Sequence, residues 1–229
     1  MQTQENRSPA MIEAMFAEIS PTYDRLNRIL SLRLDVAWRN AVRRAIPFST
    51  GKVLDCCTGT GDLAILLAHD GFDVTGIDFC EPMLTLAETK RPKGVSLIFL
   101  EGDVHQIPFP DRSFHVLTNA FSLRNLADLT QVFKEAHRVL MPDGIAVFLE
   151  LTRPSGLFGW MHRFYLGTVL PFLGGLLSGN RKAYAYLAQS IQKFPSPSEI
   201  KKRLETSGFK QVTIIPQHGG IATLWVAST

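Results

Sequence analysis

Five short apolar segments, at 52–57, 73–78, 95–100, 114–120 and 144–151, alternate with stretches of helical spacing, and that alternation leaves few folds open. Helices are predicted over 62–69, 81–89 and 128–140, the last closed by "MPDG", where proline and glycine supply a stop and a turn. Strand and helix in regular succession read as a parallel sheet with helices on its faces. Beyond an insertion, "SPSEIKKRLETSGF" predicts an amphipathic helix capped by Ser198, with Leu204 four residues after Ile200 and Gly208 closing it. "QVTIIPQ" and "IATLWVAST" then predict a hairpin around Gly219 and Gly220. Apolar residues at helical spacing over 10–46 predict helices covering one end of the sheet. The expectation is one domain over 1–229: N-terminal helices (1–46), a core (47–151), a helical cover (152–195), and a closing helix and hairpin (196–229).

The bulk properties remove several classes of function. A net charge of +3, with no concentrated run of Lys or Arg, gives no phosphate-binding stripe, so no nucleic-acid partner is expected. Cys56 and Cys57 are adjacent and Cys80 is alone; they make neither a disulfide framework nor a C-x-x-C pair, which points to a reducing, cytoplasmic compartment. His162 and His218 have no metal-ligand spacing, and no metal is expected. The start, "MQTQENRSPAMIEAMF", has no basic segment followed by an apolar core, so no secretory signal is expected.

"VLDCCTGTGDLA", residues 53–64, carries the chemistry. "GTGDLA" satisfies the dinucleotide pattern G-x-G-x-x-A between a strand and a helix. Two acids count against a pyrophosphate: Asp55 ends the strand four residues before Gly59, and Asp62 directly follows Gly61. Both put negative charge where a phosphate pair needs the helix N-terminus to itself. S-adenosylmethionine (SAM) has an ammonium, a carboxylate and a methylsulfonium but no phosphate. Asp55 can face its cationic end while Gly59 and Gly61 admit its methionine part. Asp78, ending the second strand in "VTGIDF", can accept from both ribose hydroxyls, as it would for NAD. Asp103 in "EGDVHQIPF" is placed to accept the adenine amino group, and the chain finishes in a hairpin rather than a second mononucleotide half. Acid, GxG, acid, acid in this order predicts the class I SAM-dependent methyltransferase (Rossmann-like) α/β fold. Its sheet has seven strands, six parallel and the last antiparallel, here with N-terminal helices and a helical insertion. Asp62 can also cap a helix, and Asp103 can simply end a strand.

Three longer motifs carry a resemblance: "MFAEISPTYDRLNRILSLRLDVAWR", "NAFSLRNLADLTQVFKEAHRVLMPDG" and "SGNRKAYAYLAQSIQKFPSPSEI". Together, from about Met15 to the end, they resemble the demethylmenaquinone methyltransferase family, the UbiE/MenG/COQ5-type quinone C-methyltransferases. The resemblance implies methyl transfer from SAM to a ring carbon of a prenylated quinol, most simply demethylmenaquinol to menaquinol, in menaquinone or ubiquinone synthesis. It implies cofactor contacts at Thr60, Asp78, Asp103, Val104 and Ala120, with Asn119 beside the last. The chain departs from the family pattern at Ala120, Ser122, His115, Arg33 and Asp35.

A phenol ionises near pH 10, so presenting the ring as its anion at cellular pH takes about 4 kcal/mol of help. On this resemblance Arg124 stabilises the developing phenolate, because a guanidinium stays charged and offers a fork of donors. Asp62 accepts the proton directly or through a water, and Asn125 orients the ring. Without the resemblance, Arg124 reads as a surface partner of Asp128 at helical spacing. Tyr23, Asp24 and Asn27 form a second polar cluster, on a helix that can close over the cofactor and touch substrate or else simply face water. The rivals are a methyltransferase for another small aromatic or lipid, an NAD-dependent oxidoreductase, and a non-catalytic SAM- or quinone-binding accessory protein.

"LFGWMHRFYLGTVLPFLGGLL", 157–177, has the length of a membrane span but contains His162, Arg163, Pro171 and several glycines. It reads as an apolar cover meeting the bilayer surface transiently, at the inner face of the membrane, or else as a packed helical pair or homodimer interface. "AYAYLAQSIQKF" puts Tyr184, Leu187 and Ile191 on one helical face beneath that cover.

Overall fold

The computed structural model describes residues 9–154, 156–170 and 181–229. Three helices come first: α1 (Pro9–Ile19), α2 (Tyr23–Leu30) and α3 (Leu34–Ala45). The core follows as β1 (Lys52–Cys56), α4 (Asp62–His69), β2 (Asp73–Asp78), α5 (Glu81–Lys90), β3 (Leu97–Glu101), β4 (Phe114–Ala120), α6 (Leu129–Val139) and β5 (Leu140–Leu151). The insertion supplies α7 (Gly156–Phe164), a π-helical turn over Tyr165–Val169, and α8 (Arg181–Lys193). The chain closes with α9 (Pro197–Thr206), β6 (Gln211–Gln217) and β7 (Ala222–Ser228). Residues 171–180, the end of the expected cover, lie outside the described residues.

The seven strands form one sheet in the order β3-β2-β1-β4-β5-β7-β6, and β7 runs antiparallel to both of its neighbours. Six strands are therefore parallel and the last is reversed, as the sequence predicts. Val53, Leu54, Asp55 and Cys56 of β1 are all buried, because helices cover both faces of a parallel sheet and its central strands read as apolar runs. One apolar cluster, with Phe133, Phe148 and Trp225, lies on one face, and another, with Trp38, Leu67 and Phe99, lies on the other. The Trp225 indole donates to the Pro197 carbonyl at 3.0 Å and pins the hairpin to α9.

Two local expectations are corrected. The cap of α9 is Ser196, not Ser198: its side chain accepts from the Glu199 N–H while the Glu199 carboxylate accepts from the Ser196 N–H, a capping box that leaves Pro197 in the first turn. "MPDG" does not separate α6 from β5 but lies inside β5, which starts at Leu140 and reaches its β4 register after an irregularity between Phe114 and Val116. Tyr184, Leu187 and Ile191 do share one face, packing with Leu26 and Leu166. The Tyr165 hydroxyl donates to the Leu30 carbonyl at 2.9 Å, so the insertion rests on α2.

α2 and α3 meet through Leu32 and Arg33, both left-handed at φ 52° and 64°. Asp35, at the start of α3, is buried and takes bonds from Arg28, Arg39 and the Ser31 hydroxyl. His218 is structural, accepting from the Trp38 indole at 2.8 Å.

Candidate active site

The strand order reverses direction between β1 and β4, and a parallel sheet opens a crevice at the carboxyl ends of its strands at such a switch point. There the structure holds a cavity of about 430 Å³. One half is lined by strand ends: Gly59 after β1, Asp78 of β2, Asp103 and Val104 after β3, and Ala120 of β4. The other half is lined by Tyr23 of α2, Arg124 and Asn125 after β4, and Tyr186 of α8.

In the first half, Gly59 stands at φ +57° with open space where a side chain would be, and its N–H donates to Asp78 at 2.8 Å. The other Asp78 oxygen accepts from the Cys80 N–H at 3.0 Å, and the Phe79 N–H also bonds the carboxylate. Burial raises the Asp78 pKa above the ordinary carboxylate value, partly offset by those backbone bonds. Burial also pushes Asp103 up, but the His105 N–H and ring, both bonded to the same oxygen, outweigh it and hold Asp103 below its ordinary value. Two carboxylates on the wall and an open glycine suit a ribose and an adenine amino group rather than a pyrophosphate, so these residues fit SAM. Gly61 serves packing instead: at φ +80° it caps α4, and a Cβ there would lie 2.6 Å from Phe99.

Four residues expected at the cofactor are turned elsewhere. The Asp55 carboxylate does not reach the cavity wall; it accepts from the Thr58 and Thr118 hydroxyls at 2.7 Å each. Burial raises its pKa to about 6 despite those bonds. Thr60 donates to Asp24 at 2.7 Å. The Asn119 amide is spent on the Cys56 carbonyl at 2.9 Å and Ser122 at 2.6 Å. Gly61 is held behind the loop by Phe99.

Asp62 is also off the wall, its oxygens taken by Lys90 at 2.6 Å and Arg28 at 2.7 Å. Burial acts to raise its pKa, but Arg39, Lys90 and Arg28 together bring it below the ordinary value, which makes it a poor proton acceptor. Lys90 also bonds Asp24 at 2.7 Å and Thr60 at 3.1 Å, tying α2 to the glycine loop. Tyr23, Asp24 and Asn27 thus divide. Tyr23 faces the cavity, Asn27 hydrogen-bonds it, and Asp24 braces the loop. Burial raises the Tyr23 pKa, moderated by the nearby Arg124 and Arg39 charges.

Arg124 does not pair with Asp128, which caps α6 by accepting from Thr130 and Gln131. Its Nη1 donates to Glu150 and to the Phe121 carbonyl, both at 2.6 Å. Its Nε is buried with no partner among the described residues. Asn125 accepts from the Tyr186 hydroxyl at 2.9 Å. Sequence reasoning passed over Glu150, although a single acid closing an apolar strand was the signal that marked Asp55 and Asp78. Tyr186 carried no such signal.

The model for the ubiE/COQ5 methyltransferase family matches residues 1–228. The chain belongs to that family. A demethylmenaquinone methyltransferase of Thermus thermophilus is 46% identical over 200 residues, 85% of this chain and 91% of that protein. A ubiquinone/menaquinone biosynthesis C-methyltransferase UbiE of Geotalea uraniireducens is 40% identical over 223 residues, 94% of each chain. A crystal structure of a SAM-dependent methyltransferase from Thermotoga maritima, described as a possible histamine N-methyltransferase, shares the fold: TM-score 0.70 at 17% identity, over 94% of this chain and 98% of that one. The protein is a SAM-dependent methyltransferase, and the NAD-dependent and non-catalytic alternatives fall away.

Proposed function

We propose that this ubiE/COQ5-family enzyme methylates a ring carbon of a prenylated quinol, converting demethylmenaquinol to menaquinol. The names of its relatives support that substrate, and the observation that carries it is Arg124 on the cavity wall, its charge held in place through Nη1 by Glu150 and the Phe121 carbonyl. The bound cofactor supplies a methyl group on a sulfonium; Asp78 and Asp103 hold its ribose and adenine, and Gly59 gives it room. Arg124 lowers the cost of the phenolate. A preorganised charged donor is worth about 3–4 kcal/mol, nearly all of the about 4 kcal/mol that ionisation requires. Asn125, fixed by Tyr186, orients the ring, and Tyr23 bounds the pocket from above. Asp62 acts through position, holding α2 against the glycine loop. The quinol O–H proton leaves to water. Once the ring carbon has taken the methyl, its own C–H proton is lost to water while the oxygen regains a proton, restoring the aromatic quinol.

The prenyl tail accounts for the outer surface. Leu157, Trp160, Met161 and Phe164 of α7 are exposed, and no acidic residue occurs between Glu150 and Glu199, whereas Arg153, Arg163, Arg181, Lys182 and Lys193 do. No helix among the described residues is long and apolar enough to cross a membrane. An exposed aromatic helix within a segment whose sequence carries basic residues and no acids suits transient contact with an anionic bilayer on the cytoplasmic side. Sedimentation with anionic and neutral vesicles checks this. Binding to the anionic vesicles supports it, while self-association without vesicle binding assigns the face to a homodimer instead.

Incubation with SAM and reduced, demethylated naphthoquinol or benzoquinol tests the substrate. A mass gain of one methyl in place of one hydrogen on the naphthoquinol is expected; transfer to neither overturns the reading.

A further inference from the structure

Resting on the quinol reading above, we infer that Glu150 is the positioning residue that aims Arg124 at the substrate oxygen. Glu150 closes the apolar run "AVFLE" of β5 and is fully buried at 0% exposure. A buried carboxylate is costly unless its lone pairs are used, and here they are used on one residue and its surroundings. One oxygen accepts from the Arg124 side chain and the Leu151 N–H, both at 2.6 Å, and the other accepts from the Arg124 N–H at 3.2 Å.

A single carboxylate therefore grips Arg124 by backbone and side chain together. Arginine otherwise has rotamer freedom to spend, and a guanidinium a fraction of an ångström out of place loses most of its value to a developing anion. The Phe121 carbonyl takes the same Nη1, so this edge of the fork is committed to the protein while Nε is left buried and unpartnered on a residue of the cavity wall. Phe121 presents that carbonyl from a left-handed backbone at φ 63°, which fixes the loop's direction. What distinguishes a support from a competitor is that Glu150 and the Phe121 carbonyl engage Nη1 alone, so Glu150 holds the charge without taking the rest of the fork.

Glu150→Asp keeps the buried charge pair but withdraws the carboxylate by one methylene. Its kcat with prenyl quinol is expected to fall about 10- to 100-fold, with SAM affinity and melting temperature near wild type. The alkaline rise in kcat moves to higher pH, toward the ionisation of the free phenol, because the displaced donor favours the anion less. Arg124→Lys shows the same displacement, and combining it with Glu150→Asp or Glu150→Gln costs little more than Arg124→Lys alone, since both act through one contact. Glu150→Gln, measured alongside, serves if the shorter acid fails to fold. Wild-type kcat and pH dependence in a folded Glu150 variant, or losses that multiply in full with Arg124→Lys, would overturn the inference. A wild-type enzyme that methylates no quinol would instead overturn the substrate reading.

Discussion

The two halves of the cavity are built by different rules. The half proposed for the cofactor is made of strand ends. Once β1, β2 and β4 are in register, Gly59, Asp78 and Ala120 are delivered to one crevice by backbone geometry. The half proposed for the substrate is assembled from side chains far apart in the chain: Tyr23, Arg124 with its partner Glu150, and Tyr186 come from α2, the loop after β4, the end of β5, and α8. One half depends on the sheet, the other on tertiary contacts between elements, and substitutions should separate them.

Arg124→Ala strikes only the substrate half. Turnover should drop about 100- to 1,000-fold while calorimetric SAM affinity stays within about twofold; equal loss of both would erase the division. Asp78→Asn is the converse. SAM should bind about tenfold more weakly, with turnover at saturating SAM much less affected, because the amide replaces one acceptor by a donor facing the Gly59 or Cys80 N–H. Asp62→Asn probes the seam between the halves. It leaves Lys90 and Arg28 without their shared carboxylate and should cost about 2–4 kcal/mol in urea unfolding, whereas loss of turnover with stability intact would return Asp62 to a proton-transfer role.

A last test concerns the pH dependence of stability at Asp55. Its pKa of about 6 lies above the unfolded value near 4, so the folded state holds the extra proton between those pH values. The stabilisation is complete below about pH 4 and is lost as pH rises through 6, amounting to about 3 kcal/mol. Asp55→Asn should flatten stability over pH 4–6; a decline equal to wild type would assign the slope to another group.

The same contrast governs what could be read in advance. The β–α alternation, the seven-stranded sheet, the acid ending β2 and the acid just beyond β3 were legible because strand period and acids at strand ends are local patterns. The direction each side chain takes is not local. Asp55 looks like an ammonium partner until Thr58 and Thr118 claim it, and Asp62 looks like a base until Lys90 of α5 and Arg28 of α2 surround it. Arg124 had two readings, and Glu150, twenty-six residues away, decided between them. Burial is what turns such acids into structural groups, and burial is a property of the packed whole.

In the proposed reaction a phenolate held by Arg124 delivers its ring carbon, not its oxygen, to the methyl group. Carbon NMR of the product made from reduced demethylmenaquinone and methyl-labelled SAM tests this directly. A labelled methyl bonded to an aromatic carbon is the expected result; a labelled methoxy group, or label on no quinol, would contradict it.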